Sequence, residues 1–570
     1  MNALVLAGLS ALAFLAAYRF YGGWLRRVVL QVGDHEPVPA HELNDGVDYV
    51  PARRAVLFGH HFASIAGLGP ILGPAIAVIW GWVPAVLWIV FGTIFIGGVH
   101  DFATLVLSLR NRGRSIGDIA SDVISPRARL LFLVVIYFLM SLAMGVFVLI
   151  IATLFTAAPA DGRPHPESHP EAVLPVLAIL LVALGMGWAL YKWKWSLLKT
   201  TVIGLTLSFA GLVWGSGHPV TAVGRDLWIW ILLAYAFAAS VLPVWLLLQP
   251  RDYLNSFQLY AGMGLMFAGL IASRPEVVAP AFNTTATDLP AIFPFLFITV
   301  ACGAVSGFHC LVSSGTTAKQ ISCSRDAQAI GYGGMATEGM LAILAVLACT
   351  AGLASTAEWH LHYASWAQAG GLGPKIGAFI TGAGRFLAAV GLPLGGSTAF
   401  AAVVVVSFAL TTLDSATRLL RYNLEELGRT LNVPLLANRH VAAGAAVLSI
   451  AAFAFLKIGG KPAGIVLWEL FGTTNQLLGG LALLTVTVWL ARNRRPTRPV
   501  ILPMAFMFVM TLVAMVTKIR QFWTQEAWFV FTFAVVLLGL AAWLAAEGLA
   551  ALWRVWRGAE APVVLERDPA

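Results

Sequence analysis

His60 and His61 stand side by side inside residues 55–100, a run that contains no Asp, Glu, Lys or Arg. An imidazole changes charge near neutral pH, so histidines set in such a run can relay protons or hold an anionic substrate. At the end of a membrane helix, histidines can also serve simply as interfacial caps. His309 sits in the middle of a second uncharged run, residues 289–318. An ionisable group at that depth is costly and is therefore a functional candidate. Four hydroxyls follow close behind it, those of Ser313, Ser314, Thr316 and Thr317. With the backbone carbonyls of Ala66 and Gly67 they would form a hard-oxygen site suited to sodium. Bonding to their own helix is the competing use of the same hydroxyls. Gly67 and Gly69, together with His60, His61 and His309, make up the candidate substrate-binding set.

Asp414 and Arg418 lie four residues apart, an ion-pair spacing on one helix face, and fit a structural lock or an inner gate. Asn475 and Gln476 join them as gating candidates, since amides within membrane helices bond neighbouring helices. Asp101, just past the end of its run, reads as a structural lock with Arg110 or Arg112 in preference to a coupling role. Glu338 and Glu469 are further polar residues in apolar surroundings. His60, His61, His100, His309 and Cys310 offer nitrogen and sulfur ligands. No HExxH or paired-ligand spacing joins them, and the four cysteines contain no CxxC. The phosphate-cradling sequence GxxxxGKS or GxxxxGKT is missing too. No metal, cofactor or enzymatic activity is expected; the ion to be handled is a proton or sodium.

The elements that must position these groups are membrane helices. Of the 570 residues, 59% are hydrophobic and only 11% charged, with a mean hydropathy of +0.82. A soluble surface needs about a quarter of its residues charged. Uncharged runs predict about fifteen spans, with a tight turn at residues 81–84 and a retained first helix in place of a cleaved signal. With the N-terminus outside and the C-terminus inside, 27 of the 36 lysines and arginines fall on the inner side and 9 on the outer. That asymmetry is the positive-inside pattern. The net charge of +9 is thus a topology signal and does not point to nucleic acid; the expected partners are lipid and a small-molecule substrate. Two outer loops stand out, residues 158–171 and 355–396, the second with a short helix at 376–390.

Helix breaks organise the spans further. Gly67, Gly69, Pro70, Gly73 and Pro74 crowd the second span and predict two half-helices around an unwound centre. The seventh span, residues 228–248, carries Pro243, and the ninth is loosened by Gly303, Gly307 and Gly315. The second and seventh spans are five apart and opposite in direction. That parity fits two inverted five-helix repeats, residues 56–215 and 226–421, an all-α LeuT-like plan in which broken helices meet at the midplane. Residues 1–55 then form an N-terminal helix and cytoplasmic loop, 56–421 the core, and 439–557 additional helices. A half-helix N-terminus offers unpaired amides and a positive dipole end, suited to a carboxylate.

The stretches NDGVDYVPARRAVLFGHHFASIAGLGPILGP, LPVWLLLQPRDYL, FPFLFITVACGAVSGFHCLVSSGTTAKQI, IGYGGMATEG, LDSATR and LFGTTNQLLGG, in order between Asn44 and Gly480, resemble the carbon starvation protein CstA family. The resemblance implies a multi-pass protein of the bacterial inner membrane in the amino acid–polyamine–organocation superfamily. It also implies import of peptides, or proton-coupled import of pyruvate. His60, His61, residues 67–74, residues 309–317, the Asp414–Arg418 pair and the Asn475–Gln476 pair match positions the family shares. His100 departs from it, standing where members carry Gln, and residues 403–406 are aliphatic where some members are acidic. The expected function is a secondary active transporter that imports pyruvate, a related carboxylate or short peptides by cation-coupled alternating access. A nutrient sensor without transport and a His-liganded membrane metalloprotein are the rival readings.

Overall fold

In hydrocarbon every backbone N–H and C=O must find its partner inside the segment, so long apolar runs fold as helices. A computed structural model of the chain describes residues 1–34, 36–157, 168–369 and 372–558. The chain begins with α1 (Ala3–Val29), the bent pair α2 (Arg54–Ile65) and α3 (Gly69–Trp80), and α4 (Trp82–Arg110). Next come α5 (Pro126–Phe155), α6 (Pro170–Tyr191), α7 (Leu197–Ser216), α8 (Arg225–Val241) and α9 (Leu248–Ser273). The short α10 (Ile292–Thr299) and α11 (Phe308–Gly315) precede α12 (Ser324–Ala348), α13 (Leu372–Ala388) and α14 (Leu394–Thr430). The last four are α15 (Arg439–Phe455), α16 (Ala463–Arg492), α17 (Arg498–Thr524) and α18 (Trp528–Trp556).

Among the described residues, 11 helices are long and apolar enough to cross a membrane, or 12 with the bent pair counted as one span. The expectation of about fifteen exceeds this because α8 and α15 have only 17 residues each and α10–α11 is interrupted. Helices α5, α12 and α16 are packed on most sides. By contrast α1, α7 and α18 turn Leu9, Leu12, Leu198, Val213, Val536 and Leu549 outward. Apolar residues on both faces suit helices that pack on protein one way and meet lipid the other. The expected outer loop 158–171 lies largely outside the described residues. The short helix expected at 376–390 is present as α13, packed on α9 and α14.

The turn expected at residues 81–84 is confined to Gly81, and residues 82–84 already form the first turn of α4. Gly81 has φ +103, and a Cβ there would stand 2.4 Å from the Ala281 carbonyl, so glycine is required. The first helix break also falls where expected: α2 ends at Ile65, α3 starts at Gly69–Pro70, and the two are bent by 45°. The second break does not. Pro243 lies in the turn that joins α8 to α9, beyond the last turn of α8, so the 228–248 stretch is not a broken span. The interruption lies between α10 and α11 instead. The two interrupted stretches run antiparallel in contact: His61 meets Thr317, Gly69 meets Cys302, Gly73 meets the Thr299 carbonyl, and Trp80 Nε1 donates to the Pro290 carbonyl at 2.7 Å.

Candidate functional site

Adjacent positions on a helix point about 100° apart, and α2 uses that to send His60 and His61 into two different networks. His60 Nδ1 lies 2.5 Å from Asp252 Oδ2 on α9, and its Nε2 lies 3.3 Å from Gln320 Nε2 and 3.4 Å from Thr316 Oγ1. Donation from Nδ1 to the carboxylate and acceptance at Nε2 give one consistent tautomer. Asp252 is held in turn by Arg251, whose Nε donates to Oδ1 at 2.9 Å. Arg251 also pairs with Asp414 on α14, and Tyr235 on α8 donates to Asp414 at 2.5 Å. Arg251, Asp252 and Asp414 are all buried. One guanidinium thus faces two carboxylates, and part of the remaining acceptor capacity is met by the donors of His60 and Tyr235, as buried charges require.

His61 enters the second network. Its Nε2 lies 3.0 Å from Asp101 Oδ2 on α4, and its Nδ1 lies 2.9 Å from Thr317 Oγ1. Ser313 donates to the other Asp101 oxygen. His309 Nδ1 is 3.8 Å from Asp101 Oδ2, and its Nε2 is 3.3 Å from Glu338 Oε2 on α12. Asp101 thus turns to two histidines and a serine, not to Arg110 or Arg112 as the sequence suggests. Arg110 binds Glu36 at 2.8 Å instead, in the loop between α1 and α2.

The gating candidates also find other partners. Asp414 and Arg418 share a helix but do not pair. Arg418 reaches Asp48 at 3.1 Å and the Ala239 carbonyl at 2.7 Å, tying α14 to the loop before α2 and to the end of α8. Asn475 and Gln476, neighbours on α16, hold the two sides of the second interruption. The Phe308 N–H donates to Asn475 Oδ1 at 2.9 Å, so Asn475 caps α11 from another helix. Gln476 Nε2 donates to the Phe297 carbonyl at 3.1 Å near the end of α10. The Glu469 side chain lies outside the described residues.

Ser314 donates to the Cys310 carbonyl, and Thr316 to that of Val312. These hydroxyls are engaged with their own helix, as those of Ser313 and Thr317 are with Asp101 and His61. Gly67 lies against Thr412 of α14: a Cβ on Gly67 would stand 2.2 Å from Thr412 Oγ1. Among the described residues no three His, Cys, Asp or Glu side chains are placed to hold a metal ion.

Between the two interruptions lies a cavity of about 210 Å³. Its walls include Gly69 and Gly73 at the start of α3, Thr299 and Cys302 at the second break, and Phe147, Trp468 and Phe471. Lys518 of α17 stands among them, half-buried, with its Nζ 5.5 Å from the Phe295 ring centre. The site therefore joins apolar rings, the amide end of a half-helix and one ammonium. Of the residues named from sequence, Gly69 lines this cavity and Gly67 a smaller one that shares Gly69 and Cys302 with it; His60, His61 and His309 are buried and line neither. Sequence reasoning missed Arg251, Asp252, Tyr235 and Lys518. The readable signal was the Arg251-Asp252 doublet after Pro250, two opposite charges between apolar runs, which passes for a loop until the fold buries it.

Residues 2–362 and 366–514 match the profile of the family described as carbon starvation protein CstA. The chain is 32% identical over 548 residues to the peptide transporter CstA of Bacillus subtilis (strain 168), covering 89% of each chain. It is 33% identical over 568 residues to the peptide transporter CstA of Escherichia coli (strain K12), covering 90% of this chain and 81% of that one. It is 35% identical over 386 residues to the pyruvate/proton symporter BtsT of Escherichia coli (strain K12), covering 65% of this chain and 52% of that one.

Proposed function

The chain belongs to the carbon starvation protein CstA family, and from that premise we propose that it imports pyruvate, a related small carboxylate or a short peptide by cation-coupled alternating access. It is a multi-pass bacterial membrane protein, placed by this reading in the inner membrane. The observation that carries the reading is the cavity between two antiparallel interrupted helices, with Gly69 at a half-helix N-terminus and Lys518 in its wall. A carboxylate entering it would meet the positive dipole end at Gly69 and an ammonium in apolar surroundings.

The buried histidine–carboxylate networks favour a proton over sodium as the coupling ion. The hydroxyls of Ser313 and Thr317 face Asp101 and His61, an arrangement suited to proton exchange. His60, His61 and His309 act without lining the substrate cavity. Asp414, Arg418, Asn475 and Gln476 hold the moving parts in register, through Arg251, Asp48 and the two sides of the second break.

Packing supports two repeats drawn differently from the sequence boundaries 56–215 and 226–421. In this reading residues 54–273 and 292–492 are the repeats, with the α6–α7 hairpin and α13 as insertions. Helix α9 lies along α2 as α16 lies along α10–α11, and α5 and α14 pack on each other with α8 and α15 beside both.

Counterflow of radiolabelled pyruvate into proteoliposomes, with di- and tripeptides as competitors, tests the reading. Exchange that one of these substrates drives supports it. Binding of a substrate without any exchange would replace it with a sensor.

A further inference from the structure

Glu338 is wholly buried in α12 and makes two contacts of different kinds. Its Oε1 accepts the Gly303 N–H at 2.9 Å. Its Oε2 faces His309 Nε2 at 3.3 Å, an ion-pair distance, but off the hydrogen-bond direction; neither that oxygen nor either His309 nitrogen has a hydrogen-bond partner. Buried polar atoms are seldom left this way, because each has given up its water without gaining a partner. The gap between them is the place for a proton that either group can hold.

Gly303 is the other half of the device. It sits in the unwound segment, residues 300–307, with φ +90, and a Cβ there would stand 2.7 Å from the Ala342 Cβ of α12. Its carbonyl accepts from Thr93 Oγ1 of α4 at 3.0 Å. The peptide groups on both sides of this residue are therefore clamped, one by α4 and one by Glu338. The preceding residue, Cys302, packs on Gly69 and lines the cavity.

We propose that Glu338 takes up the coupling proton, with His309 as its exchange partner, and that its protonation loosens the unwound segment walling the substrate cavity. This rests on the transporter reading above. The proton leaves His309 Nε2 and binds Glu338 Oε2, or the reverse; one N–H bond is exchanged for one O–H bond. With Glu338 ionised, the bond from Gly303 is charge-assisted, about twice as strong as a neutral one. With the proton on Oε2, Oε1 is the carbonyl of a neutral acid and holds Gly303 more weakly, so Cys302 can move off Gly69. The other titratable groups facing the pair are Asp101 and His100 from α4, His61 from α2, and Cys302 and Cys310 from the interrupted stretch. Asp101 is committed to His61 and Ser313. It lies on the far side of His309, where it stabilises the ring while the ring is charged.

The test is Glu338→Gln, whose amide oxygen can still accept from Gly303 but cannot titrate. Pyruvate counterflow is expected to persist, its pH dependence to flatten, and proton-driven accumulation to fall at least about tenfold. Hydrogen–deuterium exchange of the peptide covering residues 300–307 should rise on acidification in the wild type beyond the intrinsic rate change, and not in the variant. Accumulation and a pH profile like those of the wild type would overturn the proposal. So would a folded Glu338→Gln that loses counterflow together with accumulation, since the residue would then be structural only. A wild type that exchanges no substrate would remove the transporter reading itself. The exchange comparison would still decide whether Glu338 controls the segment.

Discussion

Arg251 stands between Asp252 and Asp414 with all three side chains buried, so each charge depends on the others and not on water. Removing one member of such a set leaves an uncompensated buried charge. Arg251→Met is expected to cost about 3–5 kcal/mol, read as a drop in melting temperature in detergent. Adding Asp414→Asn should recover part of it; no recovery would mean the three do not act as a unit. Asp48, in the loop before α2, works differently. Burial pushes its carboxyl up, but Arg418, Arg421 and Lys319 pull it further down, to a net position below 3.8. A depressed carboxylate contributes stability above its ordinary value that is lost as pH falls through the folded one. The melting difference between wild type and Asp48→Asn should therefore be full at neutral pH and vanish in acid below 3.8; a difference independent of pH would contradict the pairing. At this scale the histidines were legible, because an ionisable group in an apolar run is conspicuous. Their partners were not. Asp101 and Asp252 sit at the ends of runs, and nothing in one dimension says whether such a charge faces a loop or a neighbouring helix.

The two interruptions meet through glycine faces, so added atoms test the apposition. A Cβ on Gly69 would stand 2.3 Å from Cys302 Cβ and 2.4 Å from its Sγ, while the Cys302 Cα is 3.7 Å away. Gly69→Ala is expected to cost about 1–3 kcal/mol through overpacking and to suppress uptake, and Cys302→Gly in the same chain should restore both. A Cβ on Gly73 meets the backbone carbonyl of Thr299 at 2.6 Å, so no side-chain change should rescue Gly73→Ala. Equal rescue of both, or of neither, would contradict the geometry as measured by uptake and melting together. The first break was legible because glycine and proline cluster there and proline removes an amide. The second was misplaced: Pro243 only starts a turn after α8. The true break at 300–307 has no proline of its own; Gly303 and Gly307 mark it as a loosened stretch in the sequence, but its ends are held by Asn475 and Gln476 from a distant helix. Long-range capping leaves no local mark in a sequence.

Composition alone gives the scale of the whole molecule, since 11% charged residues cannot solvate 570. The number of spans is less legible. Short helices such as α8 and α15 pack within a thicker protein and need not meet the length of a lone span. What unites the molecule in this account is that two buried histidine–carboxylate networks draw on the same two interrupted stretches that frame one cavity. The measurement that tests this most directly is substrate accumulation in proteoliposomes under an imposed proton gradient, with sodium equal on both sides. Radiolabelled pyruvate, or a peptide found to exchange, should rise inside above its outside concentration and collapse when a protonophore is added. Accumulation that follows a sodium gradient and ignores the proton gradient, or uptake that only equilibrates, would contradict the account.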